Sequence, residues 1–197
     1  MTDVVLVRHG STSWTGRRYC GRSDPPLDAA GLAAARSLAA ALAPTLARDV
    51  LIVTSPTRRA RETAAAFVAA AGAAELEVDE RWREADFGIA EGRTFEDLAA
   101  LEPDLAAALA RGVTDIDWPG GETAAELGSR VEAAWSALVG RARPSLVVAH
   151  AGPIRHALAL ARSLPTSAVA PLEPATSIRV EVRSGEGRPA RVLPSRP

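Results

Sequence analysis

Three short apolar segments alternate along the chain with longer segments rich in alanine and leucine. Among the features of the sequence, this alternation limits the possible folds most strongly. The short segments are Val4 to Val7, Asp49 to Ser55 and Ser145 to His150. Each is a nearly continuous run of aliphatic residues, which is typical of a strand buried on both faces. Helical patterns cover Asp28 to Ala47 and Thr57 to Gly72. Buried strands that alternate with helices predict an α/β fold, a three-layer αβα sandwich whose mostly parallel sheet carries helices on both faces.

The second half of the chain adds a small helical insertion and a closing pair of strands. Residues 94–111 and 123–143 have helical patterns, and a glycine- and proline-rich break separates them. A further helix is predicted over 153–164, behind the third apolar segment. Residues 176–182 and 190–194 have strand-like patterns and are predicted to form an edge hairpin.

The composition limits the kinds of partner that the protein can bind. All 23 basic residues are arginines, against 24 acidic residues, so the net charge is −1. Because there is neither a basic excess nor a polybasic run, we expect no nucleic-acid and no membrane partner. The single cysteine, Cys20, leaves no internal disulfide and no CxxC site. The first residues hold neither a basic region nor a long apolar stretch, so we expect a cytoplasmic protein.

Two of the three histidines stand at the ends of apolar segments. His9 follows "VVLVR" and His150 follows "LVVA", and small residues come after each of them. In open parallel sheets, ligands bind beyond the carboxyl ends of the strands. If these two strands are neighbours, His9 and His150 point into one crevice.

The residue types around these histidines favour one chemistry over others. The chain has no HxxxH or HExxH spacing for zinc and no GxSxG elbow for a serine hydrolase, and the absence of lysine excludes the P-loop pattern. Arginines are available instead, at Arg8 and in the cluster "TRRAR" at residues 57–61. An imidazole attacks phosphorus readily, and one guanidinium group can bind two phosphoryl oxygens at once. A histidine nucleophile acting on a phosphoryl group is therefore favoured, and a metal site is disfavoured.

Six segments, in order along the chain, resemble the motifs of the histidine phosphatase superfamily. They are "LVRHGST", "GRSDPPLDAAGLAAA", "TSPTRRARETA", "READFGIAEG", "WPGGET" and "VVAHAGPIR". The resemblance is to the branch that includes cofactor-dependent phosphoglycerate mutase, fructose-2,6-bisphosphatase and α-ribazole phosphatase. It implies one domain over residues 1–197, in which residues 86–122 form a loop and helix insertion over the active site.

The resemblance also implies the catalytic residues. His9 becomes a phosphohistidine, and Arg8, Arg59 and His150 bind the transferred phosphoryl group. Arg59 is preferred to the other arginines of its cluster because it directly precedes the alanine of the family's "RA" pair. Glu84 donates a proton to the leaving oxygen and later accepts one from water. A carboxyl group with that task has to hold a proton near neutral pH, which a partly desolvated site favours.

Further contacts with the phosphoryl group or the substrate are expected from Thr12, Thr15, Cys20, Gly21 and Ala151. Two of these residues depart from the family pattern, since Thr15 stands where many members have asparagine and Ala151 stands where glycine is common. Threonine keeps a hydroxyl group but has less reach, and alanine is small enough to let the backbone approach a ligand. We expect no metal and no cofactor, because arginines and histidines already supply the charge that neutralises a phosphoryl group.

Three functions compete within this resemblance. The mutases depend on a longer insertion with paired arginines and a lysine, whereas residues 88–120 contain only Arg93 and Arg111 as cations. A phosphatase is therefore favoured, a phosphomonoesterase that acts on a small phosphorylated metabolite. A cofactor-dependent phosphoglycerate mutase is the first alternative, and a non-catalytic protein that binds a phosphorylated ligand is the second. The sequence leaves the substrate and the oligomeric state open.

Overall fold

The computed structural model describes residues 2–72, 75–170, 172–182 and 191–193, and six strands of this part of the chain form one sheet. The strands are β1 (Thr2–Arg8), β2 (Leu51–Thr54), β3 (Glu75–Val78), β4 (Ser145–Ala149), β5 (Ser177–Val182) and β6 (Arg191–Leu193). Their order across the sheet is β3-β2-β4-β1-β5-β6. The first four strands are parallel to one another, whereas β5 is antiparallel to β1 and β6 is antiparallel to β5. The predicted mostly parallel sheet is confirmed.

Helices cover both faces of this sheet. They are α1 (Ala29–Leu42), α2 (Arg58–Ala71), α3 (Phe95–Leu101), α4 (Pro103–Ala110), α5 (Ala124–Gly140) and α6 (Ala151–Arg162). Leu6 of β1 packs in one apolar cluster with Val131 of α5 and Ile154 of α6. The next residue, Val7, packs on the opposite face in a second cluster with Phe67 of α2. Because successive side chains of a strand point to opposite faces, these two clusters are the two interfaces of a three-layer αβα sandwich, as predicted.

A proline shortens the first helix relative to the prediction. The helical pattern extends to Ala47, but α1 ends at Leu42 and a single 3₁₀ turn, Ala43–Thr45, follows it. Pro44 lies in this turn and has no N–H group to donate to the preceding turn of an α-helix. The alanine- and leucine-rich composition therefore continues beyond the point at which the backbone can remain helical.

A second proline divides the predicted helix over 94–111 into two. The observed helices α3 and α4 meet at Glu102, whose φ of −134° and ψ of 74° are not helical. Glu102 precedes Pro103, and the proline ring disfavours the helical conformation of the residue before it. The structure therefore corrects the prediction of one continuous helix at this position.

The last two strands pair with each other at one side of the sheet. Arg179 of β5 is opposite Leu193 of β6, and β6 forms the edge. This pairing confirms the strands of the predicted hairpin, although the segment that connects them, residues 183–190, lies outside the described residues. No helix in the described ranges is both long enough and apolar enough to cross a membrane.

Candidate active site

The crevice at the carboxyl ends of β1 and β4 brings the two strand-end histidines together. These strands are hydrogen-bonded neighbours, and Arg8 at the end of β1 is opposite Ala149 at the end of β4. The next residues are His9 and His150, whose ring centroids lie 4.9 Å apart with the ring planes at 63°. The prediction that both histidines point into one crevice is therefore confirmed.

His9 is buried and is held in one tautomer. Its Nδ1 lies 2.7 Å from the carbonyl oxygen of Gly10, which can only accept a hydrogen bond, so Nδ1 carries the ring proton. Nε2 keeps its lone pair and accepts a hydrogen bond from Nε of Arg59 at 3.3 Å. Burial and, next in size, the charge of Arg59 lower the pKa of His9 to about 3, so the ring is neutral at pH 7. A neutral imidazole with its lone pair on Nε2 is the form that a nucleophile requires.

Arg59 is the arginine of its cluster that enters the crevice. Its side chain is 1% exposed, whereas the other two arginines of the cluster are exposed. The guanidinium group donates to the carbonyl oxygens of Cys20, Gly21 and Ser23 at 3.3, 2.8 and 2.6 Å. Arg59 therefore connects the loop around Gly21 to the histidine pair and supplies a fixed positive charge beside His9.

His150 is fully buried, and both of its ring nitrogens have partners within the protein. Nη2 of Arg59 lies 3.2 Å from Nδ1, which therefore accepts, and Nε2 lies 2.8 Å from Oγ of Ser55 and 3.3 Å from Oγ1 of Thr57. Burial is the main reason why the pKa of His150 lies well below its usual value, and the charges of His9 and Arg59 add to the effect. A phosphoryl group that binds to His150 has to replace one of these partners.

Arg8 brings a second positive charge to the end of β1. Its Nη1 donates to the carbonyl oxygen of Leu172, whereas its buried Nε has no hydrogen-bond partner among the described residues. Burial lowers the pKa of Arg8 and the charge of Glu84 opposes this, but a guanidinium group stays protonated in either case. A buried N–H group without an acceptor costs free energy, so the Nε of Arg8 is suited to an anionic ligand.

The positive charge at the crevice is supplied by side chains. Arg8 and Arg59 both lie close enough to His9 to lower its pKa. In the part of the chain that the structure describes, no group of three or more histidine, cysteine, aspartate or glutamate side chains is arranged to hold a metal ion. The arginines make the crevice a site for an anion.

Glu84 lies in an irregular segment next to the first turn of α6. The residue is 6% exposed, and its Oε2 accepts a hydrogen bond from the N–H of Gly152 at 3.3 Å. Its Oε1 accepts from the N–H of Ala85 at 3.0 Å. A Cβ atom on Gly152 would lie 2.3 Å from Oε1, so the glycine makes room for the carboxyl group. The helix begins at Ala151, two residues before the predicted start, and this early start brings Gly152 to the carboxyl group.

The loop that Arg59 contacts is held from its other side by Glu91. This carboxylate accepts hydrogen bonds from three consecutive backbone N–H groups, Gly21 to Ser23, at 3.3, 2.6 and 3.3 Å. A Cβ atom on Gly21 would lie 2.1 Å from the carbonyl oxygen of Ala85, so this loop packs directly against the segment that carries Glu84. Carbonyl groups of the loop face Arg59, and its N–H groups face Glu91.

Several of the other predicted contact residues have hydrogen-bond partners within the protein. Oγ1 of Thr15 accepts from the N–H of Thr12 at 2.9 Å, and Oγ1 of Thr12 accepts from the N–H of Trp14 at 3.2 Å. The thiol of Cys20 lies 3.5 Å from a carbonyl oxygen of its own loop, and burial raises its pKa to about 11, so it stays protonated. Ala151 is the first residue of α6. The roles of these residues in ligand binding stay predictions.

Comparison with known proteins identifies the family. A model of the Histidine phosphatase superfamily (branch 1) matches residues 4–193 of the chain. The chain belongs to this superfamily. The neutral His9, the buried Arg59 and the adjacent His150 therefore form the candidate active site of a histidine phosphatase superfamily member.

The known relatives of this superfamily member include proteins named as mutases and proteins named as phosphatases. Probable phosphoglycerate mutase GpmB of Escherichia coli O1:K1 / APEC is 37% identical over 138 residues, which are 68% of this chain and 61% of the relative. The match thus spans less than two thirds of that relative's length. The structure of mycobacterial glucosyl-3-phosphoglycerate phosphatase Rv2419c in complex with VO3 has a TM-score of 0.82 and 28% identity, covering 98% of this chain and 97% of that chain. A structure from Escherichia coli K-12, described as a candidate alpha-ribazole-5'-P phosphatase, has a TM-score of 0.83 at 22% identity, covers 98% of this chain and 94% of that chain, and so shares the fold.

Sequence reasoning missed five residues that organise this site, namely Ser55, Thr57, Glu91, Glu122 and Arg130. Ser55 and Thr57 follow β2, which is paired with β4, so hydroxyl groups at a third strand end were a readable signal. Glu91 and Glu122 lie within the motifs "READFGIAEG" and "WPGGET", which did not indicate their partners, and Arg130 gave no signal. Each binds backbone groups that are distant in sequence, and only the fold determines which groups these are.

Proposed function

We propose that the protein is a phosphomonoesterase that hydrolyses a small phosphorylated metabolite through a phosphohistidine at His9. The observation that carries the proposal is the state of His9, a buried and neutral ring with its proton fixed on Nδ1 and its Nε2 lone pair beside Arg59. The likeness to the mycobacterial protein named as a glucosyl-3-phosphoglycerate phosphatase supports a phosphatase.

In the first chemical step, Nε2 of His9 attacks the phosphorus atom of the substrate. An N–P bond forms while the bond from phosphorus to the leaving oxygen breaks, and Glu84 gives its proton to that oxygen. Arg8 and Arg59 offset the negative charge that develops on the phosphoryl oxygens. The alcohol then leaves, with His9 phosphorylated and Glu84 ionised.

In the second step, water hydrolyses the phosphohistidine. The Glu84 carboxylate takes a proton from water as its oxygen attacks the phosphorus atom. The N–P bond breaks, its electron pair returns to Nε2 of His9, and inorganic phosphate is released. Glu84 is protonated again, so the site is ready for another substrate.

A mutase is the second candidate function, favoured by the relatives named Probable phosphoglycerate mutase GpmB. A mutase has to return the phosphoryl group to a small acid before water reaches it, and this requires cations over the crevice. Arg93 and Arg111, the only cations in residues 88–120, are exposed, and Nε of Arg93 donates to the carbonyl oxygen of Ile89. This placement favours water as the acceptor and therefore hydrolysis.

The proposed reaction uses no metal ion, because Arg8 and Arg59 supply the positive charge that a metal would otherwise provide. We expect full activity in a chelator. Loss of activity that a divalent ion restores would contradict this part of the proposal. We also propose that the protein is cytoplasmic, in keeping with its single cysteine, and cell fractionation tests this location.

The experiment that tests the function is phosphate release in chelator across a panel of substrates, by wild type, His9→Ala and the control His156→Gln. The panel contains p-nitrophenyl phosphate, α-ribazole phosphate, glucosyl-3-phosphoglycerate, 3-phosphoglycerate and sugar phosphates. We expect release by wild type and control and none by His9→Ala, and the best substrate identifies the leaving group. Isomerisation of 3-phosphoglycerate without phosphate release would favour the mutase. The absence of both phosphate release and isomerisation would favour a binding protein.

A further inference from the structure

Arg130 of α5 is directed at the backbone of the segment that carries Glu84. Its Nη1 donates to the carbonyl oxygens of Arg81 and Arg83 at 2.8 and 2.7 Å, and its Nη2 donates to the carbonyl oxygen of Glu84 at 3.1 Å. Residues 84–87 belong to no helix or strand. Its conformation is therefore held by side chains that bind its backbone, of which Arg130 binds three carbonyl groups, together with a backbone hydrogen bond from the N–H of Glu122 to the carbonyl oxygen of Asp86 at 2.9 Å.

Glu122 fixes the guanidinium group of Arg130 in this position. Its two carboxylate oxygens accept from Nε and Nη2 of Arg130 at 2.6 and 2.7 Å, a bidentate pair. The side chains are 18% and 11% exposed for Arg130 and Glu122, so solvent screens the pair only partly. Glu122 also accepts from the backbone N–H of Asp86 at 3.4 Å. The pair thus holds the acid segment on both sides of Glu84.

The opposite end of the Glu84 side chain is held by a different element. The N–H of Gly152 in α6 binds the carboxyl group, while Arg130 in α5 binds the carbonyl group of the same residue. The carboxyl group reaches the crevice only if the backbone of Glu84 has the orientation that Arg130 imposes. A shift of about 1 Å in a catalytic group is enough to lower a rate by a large factor.

We propose that Arg130 and Glu122 are positioning residues, which set the location of the Glu84 carboxyl group relative to the leaving oxygen. This inference rests on the proposed function, because it requires Glu84 to act as the acid. It assigns to the segment "GGETAAELGSR" (residues 120–130) a role in proton transfer that reaches the substrate only through Glu84.

The test compares kcat/KM for an aryl phosphate and an alkyl phosphate, because kcat/KM reports transfer to His9 and only the alkyl leaving group needs a proton. We expect Arg130→Met to lower kcat/KM about 100-fold for the alkyl phosphate and less than about 3-fold for p-nitrophenyl phosphate. Glu122→Gln is expected to change the same ratio in the same direction by a smaller factor. The matched control is Arg141→Met, which removes another arginine of the same region, paired with Glu77 at 2.6 and 2.9 Å. We expect this control to leave the ratio unchanged.

A double variant separates positioning from a general structural effect. If Arg130 acts through Glu84, adding Arg130→Met to Glu84→Gln leaves the ratio of alkyl to aryl activity where Glu84→Gln alone puts it. A further change in the ratio would contradict the inference. So would an equal loss for both substrates in Arg130→Met, with the ratio unchanged.

Two outcomes distinguish this inference from the proposed function. If Glu84→Gln itself slows both substrates equally, the assigned role of Glu84 fails. If Glu84→Gln is selective but the Arg130 and Glu122 variants are not, only the positioning role fails. Should Arg130→Met not fold, the Glu122→Gln ratio decides, because this substitution keeps the size of the side chain.

Discussion

The two halves of the active site are built in different ways. The His9 region, defined as His9, Arg59 and His150, lies at the ends of strands and at the start of α2, so the register of the sheet determines its position. The Glu84 region, defined as residues 81–86 with Glu122 and Arg130, has only one short 3₁₀ turn and is held mainly by side chains that bind backbone groups, together with a backbone hydrogen bond between Glu122 and Asp86. Substitutions in the first region should disturb catalysis of every substrate, whereas those in the second should disturb only reactions that need a proton.

After His9→Ala, which should abolish turnover, the largest effect is expected from Arg59→Met. The substitution removes a charge beside His9 and leaves the carbonyl groups of the loop around Gly21 without their donor. We expect kcat/KM to fall about 10³-fold for aryl and alkyl phosphates alike, and the free energy of unfolding to fall by about 2 to 4 kcal/mol.

The control for this variant is Arg58→Met, the exposed neighbour whose side chain pairs with Glu62. It should change activity less than about 2-fold and unfolding free energy by less than about 0.5 kcal/mol in urea titrations. Similar effects from the two variants would show that Arg59 has no special place in the site.

Glu84→Gln should produce a selective loss. We expect kcat/KM to fall about 100-fold for an alkyl phosphate and only a few-fold for p-nitrophenyl phosphate, because glutamine cannot protonate the leaving oxygen. The control is Glu80→Gln, an exposed residue near the same segment that pairs with Arg83. Equal losses for both substrates would remove the distinction between the two regions.

Gly152→Ala tests the space around the acid. The added Cβ atom would lie 2.3 Å from Oε1 of Glu84, so the carboxyl group has to move. We expect about a 10-fold loss for the alkyl phosphate and little change in the melting temperature. The control is Gly128→Ala in α5, where the nearest atoms to an added Cβ are 3.6 Å away. It should raise stability by up to about 1 kcal/mol without changing the alkyl to aryl ratio.

A separate test, on stability rather than on activity, concerns the pH dependence of the free energy of unfolding. The folded protein keeps His9 neutral down to about pH 3, whereas the unfolded chain protonates this residue near its ordinary pKa of about 6.5. The unfolded state therefore binds more protons between these values. For this group, the free energy of unfolding falls by about 1.4 kcal/mol for each unit by which the pH is lowered. Chemical denaturation at several pH values should give a flatter dependence in His9→Ala. An unchanged slope would mean that the ring is not held neutral.

The same contrast explains what the sequence could predict. His9 and His150 were predictable because apolar runs end at them and parallel strands end at one edge. Glu84 was assigned through a family motif, since a charged run such as "ERWREAD" gives no physical sign of which carboxylate is buried. The contacts of Arg130 with residues 81–84 and of Glu91 with residues 21–23 join groups that are 46 to 70 positions apart in sequence, and no local pattern indicates these pairings. The helix breaks were missed because composition favoured a longer helix than Pro44 and Pro103 allow.

The most direct test of the account is to trap the phosphoenzyme. Wild type, His9→Ala and Glu84→Gln are mixed with p-nitrophenyl phosphate, quenched in base and mapped by mass spectrometry. The account predicts a phosphoryl group on His9 in wild type, more of it in Glu84→Gln because water attack is slowed, and none in His9→Ala. The account is contradicted if wild type turns over the substrate while neither wild type nor Glu84→Gln carries a phosphoryl group on His9. Full turnover by His9→Ala would also contradict it.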